Sequence, residues 1–265
     1  RAPQPLASVP TGGPPIHAPT LVARELGLGV PGFYRALDGG DRVFGAIGNG
    51  GLVELGHTAG VRYRSRSLVH AEDLQVATGD GGEIWVRGRD GDIGKWQDGR
   101  LRRLNLPPDL VPQCIATGRE GVYLVTLVAG TSNVRVFTTT SSGFQTLVER
   151  TLTLPTALEG VPFAGVGSDG RIWMGVRAPR EDGSGSRMWG AAVIDPSNER
   201  VVYHRRGVDY ATTGGLPMPD EVTGVTFDSA GNAWFAALTG AVRVEESQAI
   251  VFDETRGVRG DVVTD

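Results

Sequence analysis

An all-β fold built from a repeated four-stranded unit is predicted by three features of the 265-residue sequence. Glycine occurs 40 times and proline 16 times without a triplet period, which indicates many short strands joined by tight turns. Large apolar residues recur about 40 to 60 residues apart, each after a polar turn that contains glycine. Four strands per repeat at this period are typical of a β-propeller, whose radial arrangement protects the sheet edges.

One large apolar residue anchors each repeat. The five anchors are Phe44, Trp85, Leu124, Trp173 and Trp234. A glycine follows six positions later in four of the units; in the fourth unit Gly190 fills that role after about eleven inserted residues, 178–188. Each unit is interpreted as an inner strand rich in Ala, Gly and Val, an anchor strand, a third strand and a polar-edged outer strand. Outer strands are predicted at residues 101–104 and 249–252.

The two ends of the sequence align with parts of the same repeat. Residues 21–32 match an outer strand and the link after it, and residues 262–265 match the start of an inner strand. The sequence therefore predicts five whole repeats with partial blades at both ends. Residues 1–19 form a Pro-rich N-terminal segment and residues 20–265 the propeller, which we expect to be part of a longer chain.

Two segments resemble a known family. The run DSAGNAWFAALTGAVRV from Asp228 and the segment GGLPMPDEVTGVTFD from Gly214 resemble the propeller repeats of two-component regulators, which join a D-x-x-G-N-x-W turn to a G-L-P-x-N-x-V link. The resemblance implies a bacterial sensor domain in the periplasm or outside the cell. The stretch GEIWVRGRDGDIGKW from Gly82 is similar to streptogramin lyase propellers, a family of enzymes that use histidine and glutamate with a metal.

Composition restricts the possible partners. The net charge of −4 and the pI near 5.6 provide no general attraction to phosphate backbones, so nucleic acid is not an expected partner. The sequence lacks an apolar run of the roughly 18 residues that cross a bilayer, so we expect no membrane insertion by this segment. Cys114 is the only cysteine and is predicted to be a buried small hydrophobe rather than a nucleophile.

The sequence does not predict a metal site, a cofactor or catalytic residues. The histidines His17, His57, His70 and His204 are scattered without metal-ligand spacing, and we interpret them as surface or loop residues. The Asp-Gly turns, such as the one at Asp228, lack the dense oxygen ligands of a calcium loop and match what a tight turn requires.

The tryptophans divide into two groups by their position in the repeat. Trp85, Trp173 and Trp234 share the anchor position, which predicts equivalent burial between successive sheets. Trp96 and Trp189 lie outside that register and are more open to a role in binding.

The two longest excursions from the repeat, residues 178–188 and 208–221, are predicted to rise side by side on one rim. Long loops on a rigid scaffold are where binding tends to concentrate. Their charged side chains suit charge-assisted hydrogen bonds and their aromatic side chains provide amphipathic contact area. The candidate binding residues are Arg180, Glu181, Asp182, Arg187, Trp189, Tyr210 and Glu221.

Three functional hypotheses follow. The leading one is a non-catalytic recognition module, a sensor or interaction domain that binds a small molecule, a glycan or a protein on one face. The second is an enzyme of the lyase or lactonase type at the central channel, and the third is a structural scaffold in a larger assembly. An enzyme requires acids, bases or metal ligands that converge at the starts of the inner strands. The sequence places mostly Ala, Gly, Val and Thr there.

Overall fold

In the computed structural model, four strands between residues 33 and 65 are described for their backbone only. The other described residues are 75–79, 83–88, 93–97, 100–118, 121–140, 143–152, 157–180, 182–198, 200–204, 221–237, 240–245 and 248–253. Within these ranges the chain consists of strands and turns. No helix long and apolar enough to cross a bilayer is present in them.

Five four-stranded antiparallel sheets follow one another along the described ranges. The first contains β1 (Phe33–Asp38), β2 (Val43–Ile47), β3 (Gly51–Leu55) and β4 (Val61–Ser65). The second contains β5 (Gln75–Thr78), β6 (Ile84–Arg87), β7 (Ile93–Gln97) and β8 (Arg100–Arg103). The third contains β9 (Leu110–Gly118), β10 (Gly121–Val128), β11 (Asn133–Thr140) and β12 (Gly143–Thr151).

The last two sheets follow the same pattern. The fourth contains β13 (Ala164–Val166), β14 (Ile172–Pro179), β15 (Ser186–Ile194) and β16 (Val201–His204). The fifth contains β17 (Val222–Phe227), β18 (Ala233–Ala237), β19 (Gly240–Val244) and β20 (Ala249–Phe252).

The sheets are arranged as the blades of a propeller. Strands pair in chain order within every sheet, and the first strands of successive sheets contact one another. Antiparallel order places the first-to-second and third-to-fourth turns at one end, the lower face, and the second-to-third turns and inter-sheet links at the other, the upper face. The predicted all-β propeller of four-stranded blades is confirmed. The predicted partial blades and residues 1–19 lie outside the described residues.

The predicted repeat register is also confirmed. Every anchor residue lies on the second strand of its sheet, from Phe44 in β2 to Trp234 in β18. Gly190 pairs with Val176 and Gly240 pairs with Ala237. Each of these partners lies three residues after the anchor tryptophan of its sheet. The φ angles of these two glycines, 141° and 148°, lie in a region that other residues rarely adopt. Gly190 therefore fills the predicted role despite the insertion before it.

The cores lie between neighbouring sheets. Trp85 and Leu124 belong to the interface of the second and third sheets, and Trp173 and Phe235 to that of the fourth and fifth. Trp85 and Trp173 are 8% and 6% exposed, as predicted. Burial of a large aromatic side chain contributes roughly 1.5–3 kcal/mol relative to its exposure, so these two positions hold adjacent sheets together.

Two tryptophans differ from the expectation. Trp234 is only half-buried because it lies on the face of β18 opposite to Phe235, which is the residue that packs against the fourth sheet. The equal burial expected of the three anchor tryptophans is therefore wrong for Trp234. Trp96 is buried, which corrects the expectation that it is open to binding.

Cys114 and His204 are both buried. Cys114 has no exposed surface, and burial raises the pKa of its thiol to about 12, which agrees with the prediction of a buried small hydrophobe. His204 lies on β16 with its ring stacked on Trp173 at a centroid distance of 5.2 Å, and burial lowers its pKa to about 4. The interpretation of His204 as a surface residue is wrong. The other three histidines lie outside the described residues.

Candidate functional site

The insertion in the fourth repeat forms a β-hairpin on the upper face. Strands β14 and β15 stay paired as far as Pro179 and Ser186, so only residues 180–185 form the tip. The Arg180 amide donates to the Gly185 carbonyl at 2.7 Å, and the Gly183 amide donates to the Arg180 carbonyl at 3.0 Å. The long loop expected over residues 178–188 is thus largely a continuation of the sheet.

The charged side chains of the tip are exposed. Asp182 accepts hydrogen bonds from the Ser184 amide at 2.9 Å and the Ser184 hydroxyl at 2.6 Å, which lower the pKa of its carboxyl. Arg187 lies opposite Ala178 at the start of β15 and is exposed. Asp182 therefore shapes the turn while Arg187 extends from one arm of the hairpin.

Arg180 connects the hairpin to the fifth sheet. Its Nη2 lies 4.0 Å from Glu221 Oε1, and the two side chains are 47% and 41% exposed. Glu221 directly precedes β17 and has a φ of 66°, the only positive φ of a non-glycine residue within the described ranges. An exposed ion pair contributes about 0–1 kcal/mol, and a left-handed backbone costs about 1–3 kcal/mol. The ion pair with Arg180 therefore does not offset the free-energy cost of the left-handed backbone at Glu221.

Trp189 lies at the base of the hairpin. Val176 pairs with Gly190 and Arg177 with Met188, so Trp189 is the extra residue of a β-bulge. Its ring meets Tyr203 edge to face at 5.6 Å, and it packs half-buried beside the interface of the third and fourth sheets. The bulge thus directs Trp189 towards the core rather than the tip.

Of the seven candidate residues, the structure brings Arg180 and Glu221 together. Asp182 and Arg187 lie on the same hairpin, and Trp189 lies at its base. Glu181 and Tyr210 are outside the described residues, as is the link segment 208–220.

A groove of about 440 Å³ opens on the upper face between the third and fourth sheets. Its walls are the turn between β10 and β11 and the link that leads to the fourth sheet. Val111, which is 43% exposed, lines it together with Leu127 and Leu158. The Glu159 amide donates to the Arg177 carbonyl at 2.9 Å, so the base of the hairpin adjoins this groove. We call the groove and the hairpin together the upper-face site.

Two glutamines on the inner strands connect neighbouring sheets. Gln75 Oε1 accepts from the Ile115 amide at 3.0 Å, and its Nε2 donates to the Pro162 carbonyl at 2.8 Å. Gln113 Oε1 accepts from the Val161 amide at 3.1 Å. Both side chains satisfy backbone groups that the strand ladders leave unpaired.

The sequence contains a signal for these glutamines that was missed. The segment QVATG begins at Gln75 and QCIATG at Gln113, and both end in the turn that precedes an anchor strand. The extra residue of the second segment lies between Gln113 and the anchor Leu124. Each glutamine lies two residues before the partner of its anchor, which is Ala77 for Trp85 and Ile115 for Leu124. With that residue allowed for, the two glutamines occupy one position of the repeat.

Within the described ranges, no group of three or more His, Cys, Asp or Glu side chains is placed to hold a metal ion. The expected absence of a metal site from the protein as a whole stays a prediction.

Comparison with known proteins identifies the fold and no family. No protein-family model matches the chain, and no curated protein matches it. Similar solved structures include streptogramin B lyase, which is 18% identical with a TM-score of 0.55, over 84% of this chain and 68% of that one. The fold is that of a β-propeller.

Two further similar structures have other activities in their names. Hydrazine synthase of Kuenenia stuttgartiensis is 11% identical with a TM-score of 0.54, over 77% of this chain and 61% of that chain. A proposed 6-phosphogluconolactonase from Bacteroides uniformis is 11% identical with a TM-score of 0.53, over 86% of this chain and 71% of that one. Identities this low establish the fold alone, because one propeller fold carries unrelated functions. The resemblance to two-component regulator repeats is not supported by a family match.

Proposed function

We propose that this propeller is a non-catalytic recognition module that binds a polypeptide partner at the upper-face site. The observation that carries the proposal is the Arg180–Glu221 pair, in which Glu221 has a left-handed backbone. Backbone strain of this kind tends to occur where a side chain must be presented for function. Both charged groups stay about half exposed, so a partner can reach them.

The chemistry of the site favours a polypeptide. The groove offers apolar surface at the exposed Val111 and Ala157, and the hairpin beside it presents Arg180, Asp182 and Arg187. Interfaces commonly combine a central apolar contact with a polar rim, and a peptide carries both kinds of group along one chain. A hairpin supported by strand pairing also presents these groups at a lower entropic cost than a free loop.

The inner strands support a non-catalytic reading over an enzyme at the channel. The amides of Gln75 and Gln113 already bind backbone groups of neighbouring sheets. Catalytic groups need donor or acceptor atoms that are not already bonded to the protein and that point at a substrate. These two side chains are therefore better suited to holding the channel edges together.

A random-peptide library selected on the immobilised protein tests the proposal. We expect the selected peptides to bind the R180A/E221A variant about tenfold more weakly than wild type. A second variant, in which Asn-Gly replaces residues 179–186, should also lose binding and keep its melting temperature, because a two-residue turn closes the shortened hairpin. The control R102A removes an exposed arginine from β8 and should bind like wild type.

Peptides that bind both site variants as tightly as wild type would place the binding surface elsewhere. The enzyme hypothesis has its own measurement. Turnover of streptogramin B or 6-phosphogluconolactone by the protein, above the rate without it, would contradict a non-catalytic role.

A further inference from the structure

A second concave site lies on the lower face, between the fourth and fifth sheets. It encloses about 460 Å³ and is formed by the turns before β14, β16, β18 and β20. Its position is opposite to the upper-face site, because the second-to-third turns and the links lie at the other end of the sheets. We call it the lower-face cleft.

The floor of the cleft is apolar. Trp173, Val193 and Val202 form one cross-strand row on the fourth sheet, and Ala233 pairs with Val244 on the fifth. All five side chains line the cleft. His204 also lines it and is neutral at pH 7, because burial lowers its pKa to about 4. This floor suits the uncharged body of a small molecule.

The three carboxylates that line the cleft already have hydrogen-bond partners. Asp195 accepts from the Ser197 amide and hydroxyl and from Asn198 Nδ2, at 2.9, 2.6 and 2.7 Å. Asp169 accepts from the Arg171 amide at 3.0 Å and from Arg171 Nε at 2.5 Å. Glu245 accepts from Arg243 and from Gln248. Each of the three carboxylates therefore accepts hydrogen bonds from the protein and does not need a ligand to donate one.

The two arginines that line the cleft, Arg171 and Arg200, have guanidinium N–H groups that can still donate to a ligand. Arg171 uses Nε for Asp169, and its guanidinium lies 5.8 Å from the centre of the Trp173 ring. Arg200 is exposed, and within the described part of the chain its guanidinium makes no hydrogen bond or ion pair. The cleft lining thus holds two guanidinium groups and three carboxylates, and Arg243, which does not line the cleft, pairs with the third carboxylate, Glu245. A guanidinium presents several donors in a plane and fits the oxygens of a carboxylate or phosphate.

We infer that the lower-face cleft binds a small organic oxyanion, a carboxylate or a phosphate monoester carried on an apolar body. The oxyanion contacts Arg200 and the free Nη groups of Arg171, and the apolar body rests on the valine row beside Trp173. The inference does not depend on the proposed function, since it concerns the opposite face and other residues.

Titration of the protein with benzoate and phenyl phosphate, followed by ¹H–¹⁵N NMR, tests the inference, with neutral benzyl alcohol as the comparison ligand. Both anions should shift the Trp173 indole signal saturably and leave that of Trp85, in the second sheet, unchanged. The R200Q variant should raise the Kd of both about tenfold, because one charge-assisted hydrogen bond is lost. The R102Q variant, which changes an exposed arginine outside the cleft, should bind like wild type.

Three results would overturn the inference. They are the absence of saturable shifts at Trp173 with either anion, equal binding of benzyl alcohol, and R200Q affinity equal to that of wild type. The two anions also separate the possible sources of the oxyanion. Tighter binding of phenyl phosphate would identify phosphate monoesters as the ligand class, and tighter binding of benzoate would identify carboxylates.

Discussion

At the level of single residues, Asp228 shows how one side chain organises the turn before an anchor strand. Its Oδ1 accepts from the amides of Ala230 and Asn232 at 3.0 and 2.9 Å, and its Oδ2 accepts from Asn232 Nδ2 and Trp234 Nε1, both at 3.0 Å. These bonds favour the charged carboxylate, and they lower its pKa from 3.8 to about 2, with the Trp234 bond as the largest cause. The structural interpretation of this Asp-Gly turn thus has a physical basis.

Asp228 should make stability depend on acid pH. Because its folded pKa is depressed, the contribution is fully present above pH 3.8 and is lost as pH falls through about 2. We expect D228N to lower the melting temperature at pH 7 and to differ less from wild type near pH 2. The control D109N removes the charge of an exposed aspartate just before β9 and should melt like wild type. An equal deficit of D228N at both pH values would show that the carboxylate charge is not involved.

At the level of elements, packing between adjacent sheets decides the burial of the anchor residues. The face of β14 that carries Trp173 is covered by the fifth sheet, through Phe235 at a ring distance of 5.8 Å. Trp234 lies on the other face of the fifth sheet, where it stacks on Phe252 within its own sheet at 5.1 Å. One repeat position therefore has two environments.

This difference predicts unequal costs of substitution. Trp85→Ala and Trp173→Ala should each lower the free energy of unfolding by about 3–5 kcal/mol, because they leave cavities between sheets. Trp234→Ala should cost less, since its ring is already partly in water. Urea denaturation measures all three, and Val251→Ala, at an exposed position on β20, should stay within about 0.5 kcal/mol of wild type. A Trp234→Ala cost equal to the other two would mean that the half-exposed face is covered in solution.

At the level of the whole molecule, apolar packing between sheets and hydrogen bonds between inner strands hold the described sheets together. The side chain of Gln75, in the second sheet, binds Ile115 in the third sheet and Pro162 in the link that leads to the fourth. Such contacts stabilise a radial arrangement without an ion, and the described ranges contain no cluster of metal-ligating side chains.

We therefore expect the removal of metal ions by a chelator to leave the thermal stability of the protein unchanged. Treatment with EDTA followed by dialysis should give the same melting temperature as the untreated protein, because the contacts between the described sheets are apolar or are hydrogen bonds between protein groups. Calcium added back serves as the control. A decrease of several degrees that calcium or zinc reverses would contradict this expectation.

The sequence by itself determined the repeat, the strand order and the register of the anchors. These properties are local: alternation along a strand, glycine at positions of positive φ and turn residues before Trp173 or Trp234 all lie within one repeat. For the same reason, Gln75 and Gln113 could be found from the repeat, because each begins a similar segment shortly before its anchor strand.

Only the tertiary structure decided which residues meet and which are covered. Arg180 and Glu221 are 41 positions apart, and the lower-face cleft joins turns of two sheets, so no local pattern reveals them. His204 and Trp234 show the same limit, because the burial of a strand face depends on whether a neighbouring sheet packs against it. Local propensity selects the strand, whereas contacts distant in sequence select its environment.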